Sequence, residues 1–406
     1  MTTQKNAVAN YTELTIADIP NILEFAFEEH TNLFLIGDPG LGKTQVIGQF
    51  ARKLAAKHTG TTFTTFVASM LDRLDIAGLP FRNDKGLTSF ALMEEIAMAT
   101  VEHNADGAPH IIYLNEVNSA PDSVQPVLLR LLSERSVGGC HLRDNVMLVA
   151  DGNHATTSRI AKEMPEPSKR RFEWIHLRVD KKVWIDYAFK SDCDARVIAF
   201  IQAHSSDGVL SDFQSGEARG RVTYACPASW SRLGKELNRL MARFDSRGLI
   251  FQAWVDGCVG AGVGKQFCAF LEHQNSLPDI KETLLALSKA KTLDIFPDKM
   301  DVQYMFLVLA ANLVIENPTS EILGAALKTA VLLIDVEFNG NKLTEHSVFF
   351  LRSLLRAQYR TEKGDMAPIR DLIVKNMAWK DVVRVIQNDK ALFSAIQESA
   401  GDAPKQ

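Results

Sequence analysis

A short run near the N-terminus carries the most specific chemistry in this chain. Residues 37–44 match the phosphate-binding template GxxxxGK[ST] at each of its fixed positions. In order, they are Gly37, Asp38, Pro39, Gly40, Leu41, Gly42, Lys43 and Thr44. Glycines let backbone N–H groups converge on phosphate oxygens, because they turn sharply and bring no side chain. In this template the lysine contacts the β and γ phosphates and the threonine hydroxyl binds Mg²⁺. The run therefore predicts a site for ATP and Mg²⁺.

The elements on either side of this run fit that prediction. Residues 33–36 read LFLI, which is typical of a short buried strand, and residues 45–57 have the apolar spacing of a helix. A helix N-terminus directed at the loop would favour an anion there. Further strand-like runs alternate with helix-like segments up to about residue 180, at 62–68, 111–114, 146–151 and 173–179. This alternation predicts an α/β P-loop domain with a parallel sheet covered by helices on both faces.

The third predicted strand ends in a second chemical signal. P-loop ATPases follow four apolar residues with Asp-Glu, where the Asp holds the Mg²⁺ shell and the Glu polarises the attacking water. Here residues 111–114 are followed by Asn115 and Glu116. We expect Glu116 to be the catalytic carboxylate and Asn115 to hold Mg²⁺ through a water, with turnover slowed by the missing charge.

The residues after Glu116 resemble those of MoxR-like AAA+ ATPases, a family with an insert in its second helix. Residues 114–121 read LNEVNSAP and residues 124–129 read VQPVLL, close to the family pattern LDE[IL]NRAPxxVQxxLL. Residues 71–80, LDRLDIAGLP, resemble its D[IL]xGxP element. Residues 81–90 are predicted to be the inserted hairpin, with a turn at 83–86. The resemblance covers about residues 20–272.

The resemblance implies further site residues. Asn153 matches the sensor 1 position, whose side chain would help hold the lytic water. Residues 164–172, MPEPSKRRF, resemble LxPAxxxRF, with Arg171 and Phe172 at its last two positions, so Arg171 is the arginine-finger candidate, with Arg170 as the alternative. A finger acts on a neighbour's nucleotide and so implies a ring, expected to be a hexamer. At the sensor 2 position Ala228 replaces the usual Arg, and Arg232, one helical turn later, is the possible substitute.

The alternation of strands and helices, the resemblance and the apolar patterns together predict how the chain is divided. We expect a nucleotide-binding domain at residues 1–180, a helical lid at 181–275 and a helical C-terminal domain of unknown role at 276–406. Apolar patterns at 307–315, 325–336 and 369–386 favour helices in that last part.

Composition narrows the classes of protein that the chain can belong to. It has 406 residues, of which 46% are hydrophobic and 23% charged, and a net charge of −4, which gives no overall footprint for nucleic acid. Its cysteines, Cys140, Cys193, Cys226, Cys258 and Cys268, form no CxxC pair, so a reducing cytoplasm is the expected compartment. No apolar stretch is long enough for membrane insertion.

Three functions follow from these observations. The resemblance implies a chaperone-like ATPase ring that remodels or matures a protein partner, often one with a von Willebrand factor A domain, which would have to be a separate chain. Asn115 and Ala228 also fit a scaffold that assembles on ATP with little hydrolysis. A nucleic-acid-dependent motor is the third interpretation, and the acidic net charge counts against it.

Overall fold

The computed structural model describes residues 11–153, 164–204, 207–213, 221–361 and 365–387. The chain divides into two compact units. The first comprises Met1–Asp180 with Phe213–Arg219, and the second comprises Lys181–Asp212 with Gly220–Gln406. In the described part of the chain, no helix is both long and apolar enough to cross a membrane.

A six-stranded parallel sheet forms the centre of the first unit, in the order β1-β10-β2-β9-β6-β3. Its strands are β1 (Glu13–Leu14), β2 (Leu33–Ile36), β3 (Thr62–Val67), β6 (His110–Asn115), β9 (Val146–Gly152) and β10 (Glu173–Leu177). Five of them confirm the predicted strands to within two residues at each end. The two-residue β1 at the edge was not predicted, because it is too short for a pattern.

Helices cover both faces of this sheet, which confirms the predicted fold class. The helices of the unit are α1 (Ile19–Glu28), α2 (Lys43–Lys57), α3 (Arg73–Ala77), α4 (Glu94–Ala97), α5 (Val101–Asn104), α6 (Gln125–Glu134) and α7 (Glu166–Lys169). Successive strand residues point to opposite faces. Leu35, Tyr113 and Val149 therefore pack with α1 and α2, whereas Phe34, Ile112 and Leu148 pack with α6 on the other side.

Two hairpins extend from the sheet. The inserted hairpin pairs β4 (Leu79–Arg82) with β5 (Thr88–Ala91), and the second pairs β7 (Ser136–Val137) with β8 (Cys140–His141). The Asn83 side chain shapes the first turn by accepting hydrogen bonds from the N–H groups of Lys85 and Leu87, both at 3.0 Å. The hairpin predicted at residues 81–90 is thus confirmed.

The second unit is built mainly of helices. They are α8 (Lys181–Lys190), α9 (Ala195–Ala203), α10 (Pro227–Arg243), α11 (Leu249–Val259), α12 (Ala261–Glu272), α13 (Ile280–Leu287), α14 (Met300–Glu316), α15 (Ser320–Asp335), α16 (Thr344–Leu355), α17 (Arg370–Lys375) and α18 (Trp379–Gln387). Two small hairpins interrupt them, formed by β11 (Glu337–Phe338) with β12 (Asn341–Lys342) and by β13 (Gln358–Arg360) with β14 (Met366–Pro368).

An aromatic cluster fills the part of this unit formed by α9, α10 and α12. Phe200 packs against Trp230, Phe267 and Phe270, with ring centroids 5.2 to 5.5 Å apart. All four side chains are buried. Helix α14 packs against α9 from the predicted lid as well as against α15 and α16 from the predicted C-terminal domain. The boundary at residue 275 stays a prediction.

Candidate nucleotide-binding site

The loop between β2 and α2 has the backbone geometry that its glycines permit. Gly40 and Gly42 have φ angles of 78° and 96°, in the left-handed region that side chains disfavour. Gly42 caps the 15-residue helix α2, which begins at Lys43. The loop therefore ends at the positive end of a helix dipole, where phosphate groups bind favourably.

Lys43 is buried, and its ammonium group is held by the loop. Its Nζ donates to the carbonyl oxygens of Gly37 at 2.8 Å and Asp38 at 3.1 Å, and lies 3.5 Å from Asn153 Oδ1. Only 6% of the residue is exposed. A cation placed in this way is available to phosphate oxygens that enter the loop.

The strand order brings three chemically active strand ends together. Strand β9 lies between β2 and β6, so the residues at their carboxyl ends meet at one edge of the sheet. This edge carries the phosphate loop after β2, Asn115 and Glu116 after β6, and Asp151 and Asn153 from β9. Ligands of open parallel sheets bind at such an edge.

Asp151 is a buried carboxylate in the middle of this group. It is 3% exposed, and its Oδ2 lies 3.8 Å from Lys43 Nζ. Burial raises the pKa of the Asp151 carboxyl and lowers the pKa of the Lys43 ammonium. The attraction between the two charges opposes both shifts.

Oxygen atoms from α2 and β6 converge beside Thr44. The Tyr113 hydroxyl lies 3.0 Å from Thr44 Oγ1 and donates to Asn115 Oδ1 at 3.3 Å. Tyr113 is fully buried, and burial raises the pKa of its hydroxyl well above the ordinary value. The phenol therefore stays neutral and can both donate and accept hydrogen bonds.

Glu116 has an uncommon backbone conformation. Its φ and ψ angles are 57° and 43°, a left-handed conformation that costs energy for a residue with a side chain. Its N–H donates to Asp151 Oδ1 at 2.8 Å. The side chain is near enough to Lys43 that its charge raises the pKa of that ammonium. Asp151 thus fixes the turn that carries the predicted catalytic carboxylate.

Asn153 is held from its other side by Asn118. Asn118 Nδ2 donates to the Asn153 carbonyl oxygen at 2.6 Å, and its Oδ1 is buried without a hydrogen-bond partner among the described residues. A Cβ on Gly152 would lie 2.6 Å from that Oδ1, so only glycine permits this approach. Asn153 Oδ1 lies 3.5 Å from Lys43 Nζ, and the sensor 1 role of Asn153 stays a prediction.

Arg171 is not brought to the phosphate loop of its own chain. It precedes β10, whose first residue, Glu173, pairs with Leu33, the first residue of β2. The loop follows the last residue of β2, so Arg171 is roughly 15 Å away along the strand direction. The residue is exposed, and its Nε donates to Ser133 Oγ at 2.7 Å. Arg171 therefore does not act on the phosphate loop of its own chain, and its role as an arginine finger stays a prediction.

Arg232 belongs to the second unit, where it lies exposed on α10. It is close to the thiol of Cys258 on α11; burial raises the pKa of that thiol and the guanidinium opposes the rise. Its role as a sensor 2 substitute stays a prediction.

Sequence reasoning missed three residues of this site, Tyr113, Asn118 and Asp151. Tyr113 was interpreted only as an apolar strand residue. The available signal for Asp151 was a carboxylate in an otherwise apolar strand, VMLVADG at 146–152, because burying a charge requires a partner. Lys43 is identified as this partner only by the order of the strands in the sheet, in which β9 lies next to β2.

Comparison with known proteins supports the assignment of the first unit. Residues 32–172 match the family model of the AAA domain, dynein-related subfamily. No curated protein matches the chain significantly.

Several solved structures show a distant similarity. A candidate ATPase of Cytophaga hutchinsonii is 14% identical over 94% of this chain and 89% of its own, with a TM-score of 0.30. The Thermotoga maritima RuvB Holliday junction branch migration motor is 13% identical over 88% of this chain and 92% of its own, with a TM-score of 0.34. Brucella abortus NtrX is 18% identical over 68% and 62%, with a TM-score of 0.35. Superpositions this loose carry no argument about function.

The family match and the site geometry concern the same residues. The matched region begins just before β2 and ends just before β10, so it contains the phosphate loop, Glu116 and Asn153. Residues 32–172 of this chain are therefore an AAA domain of the P-loop ATPases.

Proposed function

We propose that this chain is a MoxR-like AAA+ ATPase that hydrolyses ATP at the edge formed by β2, β9 and β6. The observation that carries the proposal is the convergence of Lys43, Glu116 and Asn153 beside the glycine loop. Lys43 and the loop N–H groups bind the phosphates. Glu116 takes a proton from the attacking water, and Asn153 orients that water.

The residues beside Thr44 fit Mg²⁺, because its preferred ligands are oxygen atoms. Thr44 Oγ1 and Asn115 Oδ1 would hold the ion, with Asn115 acting through a water, and Tyr113 keeps both groups in place. When bound, Mg²⁺ neutralises charge on the β and γ phosphates.

The position of Arg171 supports a ring in this proposal. An exposed arginine at the far end of the sheet is useful for catalysis only if another copy presents its nucleotide there. We therefore propose a homo-oligomeric ring of six copies, in which each Arg171 stabilises the γ-phosphate charge in its neighbour's site. Hydrolysis would then remodel a cytoplasmic protein partner, such as one with a von Willebrand factor A domain, as the sequence resemblance implies.

The test is subunit complementation. Glu116→Gln removes the base of a chain's own site, and Arg171→Ala removes the finger that the chain offers to its neighbour. Each variant alone should lose nearly all ATPase activity. An equal mixture should recover about a quarter of the wild-type rate, because one interface in four combines an intact site with an intact finger.

The controls separate this result from simple damage. Arg170→Ala, at the neighbouring arginine, should keep most of the activity, and mass measurement with ATP should show the same oligomer for every variant. Mixtures that stay inactive, although both variants assemble, would show that Arg171 does not act between copies. Wild-type assembly on ATP without any turnover would instead favour the scaffold function, for which the neutral Asn115 is the specific observation.

A further inference from the structure

The Asp151 carboxylate lies in the centre of the nucleotide site, and the steps proposed above do not use it. It is 3% exposed, and a buried carboxylate is costly unless its partners compensate. Oδ1 accepts from the Glu116 N–H at 2.8 Å, while Oδ2 is 3.8 Å from Lys43 Nζ. The Tyr113 hydroxyl, which lies 3.0 Å from Thr44 Oγ1 and 3.3 Å from Asn115 Oδ1, belongs to the same edge of the sheet.

The register of the sheet relates Asp151 directly to Asn115. Strands β6 and β9 are parallel neighbours, and Leu114 pairs with Ala150. The next residue on each strand is Asn115 and Asp151, so the two occupy adjacent positions on the same face of the sheet. That face is the one covered by α2, which carries Lys43 and Thr44.

The charges at this edge explain why residue 115 is neutral. An aspartate at 115 would place two carboxylates side by side, with Glu116 next to them, and like charges at such a distance disfavour ionisation. With Asn115 in that position, the ends of β6 and β9 keep one buried carboxylate, Asp151, beside the half-buried Glu116, and Asp38 of the phosphate loop is a second buried acid near Lys43. In P-loop ATPases the negative charge lies on the same strand as the catalytic Glu, directly before it. Here the corresponding position is Asn115 on β6, and the negative charge is that of Asp151 on the neighbouring strand β9.

We propose that Asp151 is the carboxylate that faces the metal in this site, in place of the charge that Asn115 lacks. The inference rests on the proposed function, since it assigns a residue for Mg²⁺ with ATP. Asp151 would accept hydrogen bonds from water on the ion while it keeps Lys43 and the Glu116 turn in place. Carboxylates commonly hold Mg²⁺ with nucleotide phosphates in this indirect way.

The experiment is equilibrium binding of a fluorescent, non-hydrolysable ATP analogue, titrated with Mg²⁺. Asp151→Asn should raise the Mg²⁺ concentration at half-maximal binding by about tenfold or more. The exchange variant Asn115→Asp/Asp151→Asn moves the carboxylate from β9 to β6. Its Mg²⁺ concentration at half-maximal binding should be within about threefold of the wild-type value. Asp144→Asn, at an exposed residue just before β9, should leave the Mg²⁺ dependence unchanged.

A further variant gives an answer even if Asp151→Asn does not fold. Asn115→Asp alone should improve the Mg²⁺ midpoint by less than about threefold, because the edge already holds the required charge. A gain of tenfold or more would overturn the inference by showing that the metal side lacks a carboxylate.

The other outcomes are equally decisive. An unchanged Mg²⁺ midpoint in a folded Asp151→Asn variant would overturn the inference alone and leave Asp151 as the partner of Lys43. Failure of the folded exchange variant to recover would do the same. No binding of the analogue by the wild type at any Mg²⁺ concentration would overturn the proposed function as well.

Discussion

At the scale of single residues, the buried His346 side chain links the stability of the second unit to pH. It is 5% exposed and stacks on Tyr304, with ring centroids 4.3 Å apart. Its Nε2 has no hydrogen-bond partner among the described residues. Burial lowers the pKa of the imidazole from 6.5 to about 4, because the charged form would lose its hydration.

The direction of the pH effect follows from this lowered pKa. Between pH 6.5 and about 4 the unfolded chain binds a proton that the folded chain does not, so stability falls as the pH decreases through this window. Replacement by Phe keeps the stacking and removes the titration. When the pH falls from neutral to about 5, the free energy of unfolding of the wild type should decrease by about 2 kcal/mol more than that of His346→Phe.

Denaturant unfolding at both pH values measures this difference. The exposed His58 provides the matched control, and His58→Gln should keep the wild-type pH dependence. Equal pH dependence in His346→Phe and wild type would contradict the prediction, since it would mean that His346 titrates normally in the folded chain.

At the scale of elements, Gly78 connects helix α3 to the inserted hairpin. The Asp72 side chain caps α3 by accepting from the Leu74 N–H at 3.0 Å, and the helix ends at Gly78. Gly78 has a φ angle of 83°, and a Cβ there would lie 2.8 Å from the Ala91 carbonyl oxygen. That oxygen is backbone and cannot move without opening the hairpin, where Leu79 pairs with Ala91.

Gly78→Ala should therefore destabilise the first unit through two effects. The backbone of Gly78, with φ at 83° and ψ at 161°, is in a region that is essentially restricted to glycine and costs a residue with a Cβ about 1–3 kcal/mol, and the clash with Ala91 adds to it. Gly139→Ala is the matched control, because Gly139 has a φ angle of 86° and no atom within 4 Å of the built Cβ. Denaturant unfolding should give the larger loss for Gly78→Ala. Equal losses would show that the base of the hairpin adapts.

At the scale of the whole molecule, Arg356 connects the predicted C-terminal domain to the predicted lid. It follows α16, and its Nη2 donates to the Cys193 carbonyl oxygen at 2.6 Å. Its Nη1 donates to the Ala188 carbonyl oxygen at 3.3 Å. Arg352, one turn earlier, forms an ion pair with Asp186 at 2.6 Å, and both guanidinium groups lie over the Phe189 ring.

Removal of this connection should destabilise the second unit as a whole. Arg356→Ala should cost about 3 kcal/mol, because it leaves two carbonyl oxygens without a charged donor. Thermal and denaturant unfolding check this value, with the exposed Arg360→Ala as the control, expected to change stability by less than about 0.5 kcal/mol. A loss as small as that of the control would contradict the prediction, because it would show that the Arg356 hydrogen bonds contribute little to the connection.

The sequence by itself determined the local parts of this protein. The phosphate loop, the strand before it, the helix after it and the Asn115-Glu116 pair were all identifiable, because each depends on residues close in the chain. The helical pattern of the second unit was identifiable for the same reason, since the spacing of apolar residues marks a helix. The very short β1 gave no such pattern.

The tertiary structure alone decided which of these parts meet. Strand β9 enters the sheet between β2 and β6, and this order places Asp151 beside Lys43 although they are far apart in the chain. The parallel direction and register of β10 and β2 place Arg171 at the opposite end of the sheet from the loop. Strand order depends on long-range packing of both sheet faces, whereas sequence patterns report only on neighbours along the chain.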